Sequence, residues 1–384
     1  CRRGRSAGMS GEVTPVALSP VQQAALRDGL PSSDAEREMT RAALAVLRDD
    51  PAGARQMSRW MAGQHLLGVW CEMLAASMPD HHELRLVHTQ HVSQLRTALV
   101  CEATAVKALE CLGAAGIDGW LIKGLAVAHL DYPDPALRTS GDVDLLVARD
   151  HLHSAVAALE AAGFRRSEAA PRRSWEARYA RAVMLRSPSG VELDLHVTLA
   201  PGYFGARLDH SQLVADVDHI DLGGVRCATL GGPARVVGSA FAAVLSRGAP
   251  WRYLRDLAQQ VAVSEVDVHR AVEIARAGDA EPVLARAVTM AVAAGVIGEH
   301  HPMAEWARGV VPSRRAAQAL RYAEAGRRAG WLADARSQLM ALSFTDGLRF
   351  VAGAAVPSKE VRVARGITLG RQLGRGLRFA RLRR

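Results

Sequence analysis

Apolar residues recur every three or four positions along most of the chain, which is the spacing of helices that bury one face. The repeat predicts helices at residues 34–50, 54–78 and 80–115, and in several segments between 234 and 342. Pro15, Pro20 and Pro31 interrupt the chain before the first of them, so we expect a loosely ordered entry at residues 10–33. Helical regions are thus expected on both sides of a different middle.

The middle of the chain carries short runs of alternating apolar and polar residues, as strands do. Strands are expected at residues 119–122, 142–147, 182–186, 191–199 and 226–230, with helices at 124–130 and 150–163. A Ser-Pro-Ser-Gly turn at 187–190 joins two of these strands into a hairpin. The pattern predicts an α+β fold with a mixed β-sheet, flanked by N- and C-terminal helical regions. The expected divisions are an extension (1–33), an N-terminal helical region (34–112), the core (113–232), a C-terminal helical domain (233–357) and a basic tail (358–384).

Two aspartates stand one residue apart in the second of these strands. Residues i and i+2 of a strand point to the same face, so Asp142 and Asp144 are expected to project together, while Val143 and Leu145 face a core. Carboxylates this close repel each other unless a cation lies between them. The pair therefore predicts a site for a divalent metal.

A third acid lies in the later hairpin strand, where the alternation is strict. Glu192, Asp194 and His196 share one face of that strand. If it pairs beside the strand of the first two aspartates, Asp194 completes a cluster of three carboxylates, which suits two Mg²⁺ or Mn²⁺ ions. For His196, support of the sheet and contact with a metal or substrate are both open. We expect Glu192 to be exposed or outside the direct ligands.

A lysine–glycine turn precedes these acids by about 18 residues. Gly124 lets the backbone approach a phosphate closely, and it begins a short helix whose N–H groups favour anions. Lys123 and Arg138 are candidate contacts of a triphosphate. Together with Ser140, they form the expected nucleotide-binding set. A phosphoryl or nucleotidyl transfer needs mainly positioning and charge neutralisation, which such a set could supply.

The net charge of +9 is concentrated at the two ends of the chain. Residues 358–384 hold Lys359 and eight arginines against one acid, Glu360, and three arginines lie within the first five residues. The rest of the chain is nearly neutral, so charge alone does not predict a nucleic-acid-binding core. For the tail, three hypotheses are open: a disordered solubility segment, a membrane-surface helix, and a contact with RNA or another acidic partner.

Other classes of protein are disfavoured by simple counts. The five cysteines are scattered and never form a Cys-x-x-Cys pair, so neither a disulfide framework nor a zinc site is expected. The first residues contain arginines without a following apolar stretch, so no signal peptide is expected. No apolar run reaches the roughly 18 residues of a transmembrane helix. We expect a cytoplasmic protein.

The run LIKGLAVAHLDYPDPALRTSGDVDLLVARDHLHSAVAALEAAGF resembles the signature of an uncharacterised bacterial nucleotidyltransferase family in the DNA polymerase β superfamily. The later Asp194-Leu195-His196 and the helix with Arg252-Tyr253-Leu254-Arg255-Asp256 are similar to further segments of that family. The resemblance covers roughly residues 95–310. It implies a polymerase-β-type fold, two-metal catalysis by Asp142, Asp144 and Asp194, and an NTP such as ATP as donor. It implies no particular acceptor.

One departure from the superfamily leaves the function open in detail. Lys123-Gly124-Leu125 stands where a Gly-Ser turn is usual, so the serine hydroxyl contact is missing. The Lys-Gly form, with a run like Arg-Thr-Ser-Gly-Asp-Val-Asp, also resembles toxin nucleotidyltransferases of the abortive-infection type. Asp256 is expected to be a salt-bridged or helix-packing acid.

Three hypotheses of function follow. The first is a Mg²⁺-dependent nucleotidyltransferase that moves a nucleoside monophosphate from an NTP to a small molecule, a peptide or RNA. The second is a catalytically weak protein that binds a nucleotide or peptide as an accessory of a biosynthetic cluster. The third is a toxin that modifies RNA. The presence of all three acids favours the first.

Overall fold

A computed structural model describes residues 18–246, 250–263, 266–329, 331–356 and 358–364 of the chain. It is an α+β structure in which helices flank one mixed seven-stranded sheet, as the sequence predicts. The expected extension before residue 18 and the tail after 364 lie outside the described residues.

Five helices precede the sheet. They are α1 (Pro20–Arg27), α2 (Asp34–Arg48), α3 (Pro51–Gly63), α4 (Leu67–Ser77) and α5 (His82–Ala114). Two of them differ from the sequence prediction. Residues expected to belong to a loosely ordered entry form α1, which begins with a capping box between Ser19 and Gln22. The single helix expected at 54–78 is broken between α3 and α4, where His65 has a positive φ of 57°.

Strands and helices alternate through the core. In order they are β1 (Trp120–Leu121), α6 (Gly124–Asp131), β2 (Val143–Leu146), α7 (Leu152–Ala161), β3 (Arg165–Arg166), α8 (Arg173–Tyr179), β4 (Ala182–Arg186), β5 (Glu192–His196), α9 (Gly202–Gly205), α10 (His210–Leu213), β6 (Val217–Leu222) and β7 (Val225–Leu230). Short 3₁₀ turns lie at Pro135–Leu137 and Arg149–His151. The strand expected at 226–230 is β7. The sequence did not predict its partner β6, which carries polar residues on its exposed face.

The order of the strands in the sheet is β3-β4-β5-β2-β1-β7-β6. The central pair β2–β5 is parallel, and so is β1–β7, while the other neighbours are antiparallel. The parallel pairing of β2 with β5 brings Asp144 beside Asp194, whereas Asp142 lies just before β2, because the strand is shorter than predicted. This is the arrangement on which the sequence prediction of an acidic cluster depends.

Each face of the sheet covers its own apolar core. On one face, Val143, Leu145, Leu193 and Leu195 pack with α5 and α7 and are fully buried. The other face packs against the N- and C-terminal helices, and its core includes Trp70 and Phe241. The alternation in β2 and β5 therefore places their polar side chains on the face toward the flanking helical regions.

The C-terminal region is helical, as expected between residues 234 and 342, and two further helices lie beyond residue 342, outside the predicted helical segments. Its helices are α11 (Gly232–Leu245), α12 (Trp251–Ala262), α13 (Val268–Ala277), α14 (Glu281–Ala293), α15 (Pro302–Gly309), α16 (Arg314–Ala329), α17 (Trp331–Ala341), α18 (Phe344–Ala355) and α19 (Lys359–Ala364). Helix α18 returns to the core and lies against α8, and Ser358 at the start of α19 contacts Ala170, just before α8. Within the described residues, no helix combines the length and the apolar character that crossing a membrane requires.

Candidate active site

Asp144 and Asp194 are direct neighbours in the parallel pair β2–β5. Carboxylate oxygens of these two residues and a ring nitrogen of His196 all lie within 4.8 Å of one another. Asp144 and His196 are buried, and Asp194 is partly exposed. Asp142 does not belong to this group of three. The structure thus brings together two of the three predicted acids and adds a histidine whose role the sequence left open.

Lys123 is held in the middle of this group. Its Nζ contacts Asp144 Oδ1 and lies 3.0 Å from His196 Nε2. It is the residue before α6, and its backbone has a φ of 57° and a ψ of −129°. A side chain with a Cβ rarely adopts that conformation, which costs on the order of 1–3 kcal/mol. The strain is compensated by the surrounding fold and directs the ammonium toward the acids.

His196 is fully buried and makes one clear hydrogen bond at the site. Its Nε2 lies 2.8 Å from Asp144 Oδ1. Burial and the charge of Lys123 lower the pKa of His196 to about 4. The ring is then neutral at pH 7, and the tautomer that donates from Nε2 to Asp144 satisfies this contact. Its Nδ1 is buried and has no hydrogen-bond partner among the described residues.

The acids differ sharply in their electrostatic surroundings. Burial opposes the ionisation of Asp144, but Lys123 and His196 outweigh it and hold the pKa of Asp144 well below its usual range. Burial and the charge of Asp144 raise the pKa of Asp194 to about 6. The same two causes raise the pKa of Asp142. Lys123 and the nearby arginines thus leave the repulsion among three carboxylates incompletely balanced, and a further cation would relieve it.

A cavity of about 190 Å³, which we call the first cavity, opens over these groups. Asp142 lies on its wall, where Ser140 Oγ donates to the Asp142 backbone oxygen at 3.1 Å and to its Oδ1 at 3.3 Å. Gly124 lies behind Ser140, and a Cβ at position 124 would clash with the Ser140 hydroxyl. The glycine is therefore required by the close approach of the helix start to the serine. Lys123, Asp144 and Asp194 complete the lower wall.

Arg138 touches the first cavity but its charge is already paired. Only 3 % of it is exposed, and it donates to both carboxylate oxygens of Asp256, from Nε at 3.3 Å and from Nη2 at 3.2 Å. Tyr132 donates to the same carboxylate at 2.9 Å. The expectation that Asp256 is a salt-bridged acid is confirmed. The geometry favours a structural role for Arg138, which ties the loop before β2 to α12.

Helix α12 contributes two cavity residues whose roles the sequence did not predict. Arg252 and Tyr253 line the first cavity opposite the acids. The Arg252 guanidinium lies 4.6 Å from the centre of the Tyr253 ring and donates to its hydroxyl at 2.6 Å. Among the described residues, no carboxylate lies within ion-pair distance of Arg252. Its position in a helix that resembled the family was the available signal, but no spacing connected it to Lys123.

Helix α12 is also held against the end of α6 by buried polar contacts. Asp131, at the end of α6, receives two hydrogen bonds from Arg235, at 3.1 and 2.8 Å, and one from Gln260 at 2.8 Å. These groups are buried. Buried charges that are paired and hydrogen-bonded fix the elements that carry them. The positions of Lys123 and Arg252 on either side of the first cavity are therefore set by polar contacts at both ends of α6.

The sequence matches the family described as uncharacterised nucleotidyltransferase over residues 54–294. The chain belongs to this nucleotidyltransferase family. The matched range contains every residue of the first cavity and ends before α15. No curated protein matches the sequence. A crystal structure of an antigenic nucleotidyltransferase-like protein from Paracoccidioides brasiliensis is similar to 50 % of this chain and 92 % of its own, at 17 % identity and a TM-score of 0.27.

Proposed function

We propose that this nucleotidyltransferase moves a nucleoside monophosphate from an NTP, with Mg²⁺ at Asp142, Asp144 and Asp194, to an acceptor bound beside the first cavity. The proposal includes a polymerase-β-type core in residues 113–232. The observation that carries it is the register of β2 and β5, which puts Asp144 beside Asp194 at the floor of a cavity. Membership of a nucleotidyltransferase family supports the same reaction class.

The donor set fits a divalent cation. Carboxylates are the hard oxygen ligands that Mg²⁺ prefers, and the incompletely balanced charge around Asp194 favours a cation there. The unpartnered Nδ1 of His196 points to polar chemistry in this buried place, while its Nε2 orients Asp144. Bound Mg²⁺ would neutralise phosphate charge and make an acceptor oxygen a better nucleophile.

The cations around the first cavity suit the phosphates of the donor. Lys123 can leave Asp144 for a phosphate oxygen when another cation takes its place, because its side chain is long and partly exposed. Arg252 offers a guanidinium that no described acid occupies. The backbone N–H groups at the start of α6 add a favourable field for an anion. Arg138 acts as a positioning residue through Asp256 rather than as a phosphate contact.

The reaction balances as a single displacement at phosphorus. The acceptor oxygen forms a bond to the α-phosphorus of the NTP, and the bond from that phosphorus to the bridging oxygen of the β-phosphate breaks. Pyrophosphate leaves with the electron pair of the broken bond, and the proton of the acceptor hydroxyl passes to water. The residues supply position and charge compensation, which are the main demands of such transfers.

The test is a label-transfer assay. The wild-type protein, Mg²⁺ and each NTP labelled at the α-phosphorus are incubated with a cell extract, and the same is done with the Asp142→Ala/Asp144→Ala variant. Labelled product is expected with the wild type alone. If the label is absent, or equal in the two proteins, the catalytic proposal fails. Nucleotide binding without transfer would then favour the accessory-protein hypothesis.

A further inference from the structure

Asp194 lies on the wall of two cavities at once. Asp194 lines the first cavity and also a second cavity of about 370 Å³, which lies over β4 and includes Met184 in its lining. None of the other residues of the first cavity belongs to the second. A molecule in the second cavity would therefore approach the phosphate-binding region past the one carboxylate that both share.

The second cavity is closed by the C-terminal helices. Trp175 of α8 stacks on Phe350 of α18, with ring centres 5.6 Å apart, and its Nε1 donates to the Phe350 backbone oxygen at 3.2 Å. Tyr179 donates to the Asp346 backbone oxygen at 3.0 Å. Ser358, at the start of α19, donates to the Ala170 oxygen at 2.6 Å. These contacts hold α18 and α19 as a wall opposite β4.

The lining of the second cavity mixes apolar side chains with charged ones, among them Glu168 and Arg172. Its apolar lining side chains include Trp175, Met184, Ala354 and Val361. The charge of Arg166 at its edge is matched by a bidentate pair with Glu176, at 2.8 and 3.0 Å. A cleft of this size that combines apolar and aromatic side chains with charged groups is typical of a site for a small molecule.

Arg181 marks the polar end of the second cavity together with Asp194. It is exposed, and among the described residues it has no acid within ion-pair distance. The positive charge of Arg181 lowers the pKa of Asp194, against the larger effect of burial. The two side chains are therefore close enough to interact electrostatically. The part of the second cavity beside Asp194 can thus receive a hydroxyl. The space between α18 and Met184, the neighbour of Asp194 across β4 and β5, can receive an apolar part of the same molecule.

We propose that the second cavity is the acceptor site and that its acceptor is a small hydroxylated molecule with an apolar part. This inference rests on the proposed function. The hydroxyl lies toward Asp194, and the apolar part lies between Met184 and the wall formed by α18 and α19. A cavity of about 370 Å³ fits a small molecule better than RNA, whose binding uses extended rows of cations and stacked bases.

The wall formed by α18 and α19 lies outside the range that matches the family. The family match ends at residue 294, whereas α18 and α19 begin at Phe344 and Lys359. The acids, Lys123 and Arg252 are all inside the match. The donor side therefore lies within the matched range, and part of the wall of the acceptor side lies beyond it.

The experiment measures two ligands on matched variants. Ala354→Trp fills the second cavity from α18, and Ala352→Trp places the same ring on the exposed side of that helix. Binding of 2-naphthol is followed by its fluorescence, and binding of α,β-methylene-ATP with Mg²⁺ by calorimetry. We expect Ala354→Trp to weaken 2-naphthol binding by at least about tenfold, because the indole takes the place of the bound ring. We expect Ala352→Trp to change neither affinity.

The outcomes separate this inference from the proposed function. If 2-naphthol fails to bind the wild type, or binds both variants equally, while the ATP analogue binds normally, the acceptor site is wrong and the donor site stands. If the ATP analogue fails to bind the wild type, both the acceptor site and the proposed function are wrong. If Ala354→Trp instead weakens binding of a short single-stranded RNA and leaves 2-naphthol unchanged, the second cavity is an RNA site.

A second pair of variants guards against misfolding. Met184→Lys changes the β4 wall of the second cavity, and Arg186→Lys is a conservative change farther along the same strand and outside that cavity. Circular dichroism checks that each variant is folded. Loss of 2-naphthol binding in Met184→Lys, with retention in Arg186→Lys, supports the site independently of α18. Equal binding in both overturns it.

Discussion

Asp144 and Asp194 lie side by side on the parallel strands β2 and β5, one buried and paired with Lys123, the other partly open to two cavities. The pairing explains their opposite pKa shifts. Asp144 keeps its charge because Lys123 and His196 contact it, and burial together with that charge disfavours ionisation of Asp194. A bound cation would bring both to the charged form.

The first prediction concerns metal binding. Asp194→Asn should lower the affinity for Mn²⁺, measured by electron paramagnetic resonance with an ATP analogue present, by at least about tenfold, because one oxygen ligand loses its charge. Glu192→Gln is the matched control, since Glu192 is on the same face of the same strand but pairs with Arg186 at the surface. Equal losses in both variants would contradict a specific site at Asp194.

The second prediction concerns the backbone of Lys123. Lys123→Gly and Lys123→Ala both remove the ammonium, but only glycine accepts the φ of 57° without strain. We expect Lys123→Gly to be more stable than Lys123→Ala by about 1 kcal/mol in urea unfolding. Both should bind the ATP analogue more weakly than the wild type. A glycine variant that is no more stable than the alanine variant would show that the conformation carries no strain.

The third prediction concerns the buried pair of Arg138 and Asp256. Asp256→Ala leaves the guanidinium buried without its partner and should cost about 3–5 kcal/mol of unfolding free energy. Tyr132→Phe removes only one hydrogen bond to the same acid and should cost about 1 kcal/mol. Replacing both partners, as in Arg138→Met/Asp256→Leu, should recover part of the loss. If Asp256→Ala is as stable as the wild type, Arg138 is free to contact a nucleotide.

The fourth prediction concerns pH, with the metal removed by a chelator. Asp194 has a folded pKa of about 6, above its ordinary value of 3.8, so the folded state takes up the proton first and its stability rises as pH falls from 6 toward 4. His196 has a folded pKa of about 4, below its ordinary 6.5, so stability is lost as pH falls from 6.5 toward 4. The two contributions oppose each other in the wild type.

Single variants should separate these contributions. Between pH 6.5 and 4.5, Asp194→Asn should lose more stability than the wild type, because only the His196 contribution remains. His196→Asn should lose less than the wild type, because only the Asp194 contribution remains. Urea unfolding at several pH values measures both slopes. Parallel curves for all three proteins would contradict the pKa shifts.

Local patterns predicted much of the site. Strict alternation placed Asp194 and His196 on one face of β5, and it placed Val143 and Leu145 in a core, because burial of one face of a strand fixes the side of every residue. The pairing of β2 with β5 was stated only as a condition, since parallel strands are joined across long connections that carry no register signal. The structure supplies that register.

Long-range pairings could not be predicted. Arg138 was predicted to contact a triphosphate, because its partner, Asp256, lies on a helix that is distant in sequence. Arg252 was overlooked for the same reason, although it is the guanidinium left unpaired at the first cavity. The wall of the second cavity forms only when α18 returns to α8 and α19 to the residues just before it, and no periodicity in residues 344–364 reveals those contacts.

We propose that this protein transfers at the α-phosphorus and that the transfer depends on Asp144 and Asp194. The most direct measurement uses ATP labelled at the α-phosphorus in one reaction and at the γ-phosphorus in another, with Mg²⁺ and the small-molecule fraction of a cell extract. Wild type and Glu192→Gln should place the α-label on the acceptor and release the γ-label as pyrophosphate, and Asp194→Asn should do neither. A γ-label on the acceptor, release of orthophosphate alone, or full transfer by Asp194→Asn would contradict the account.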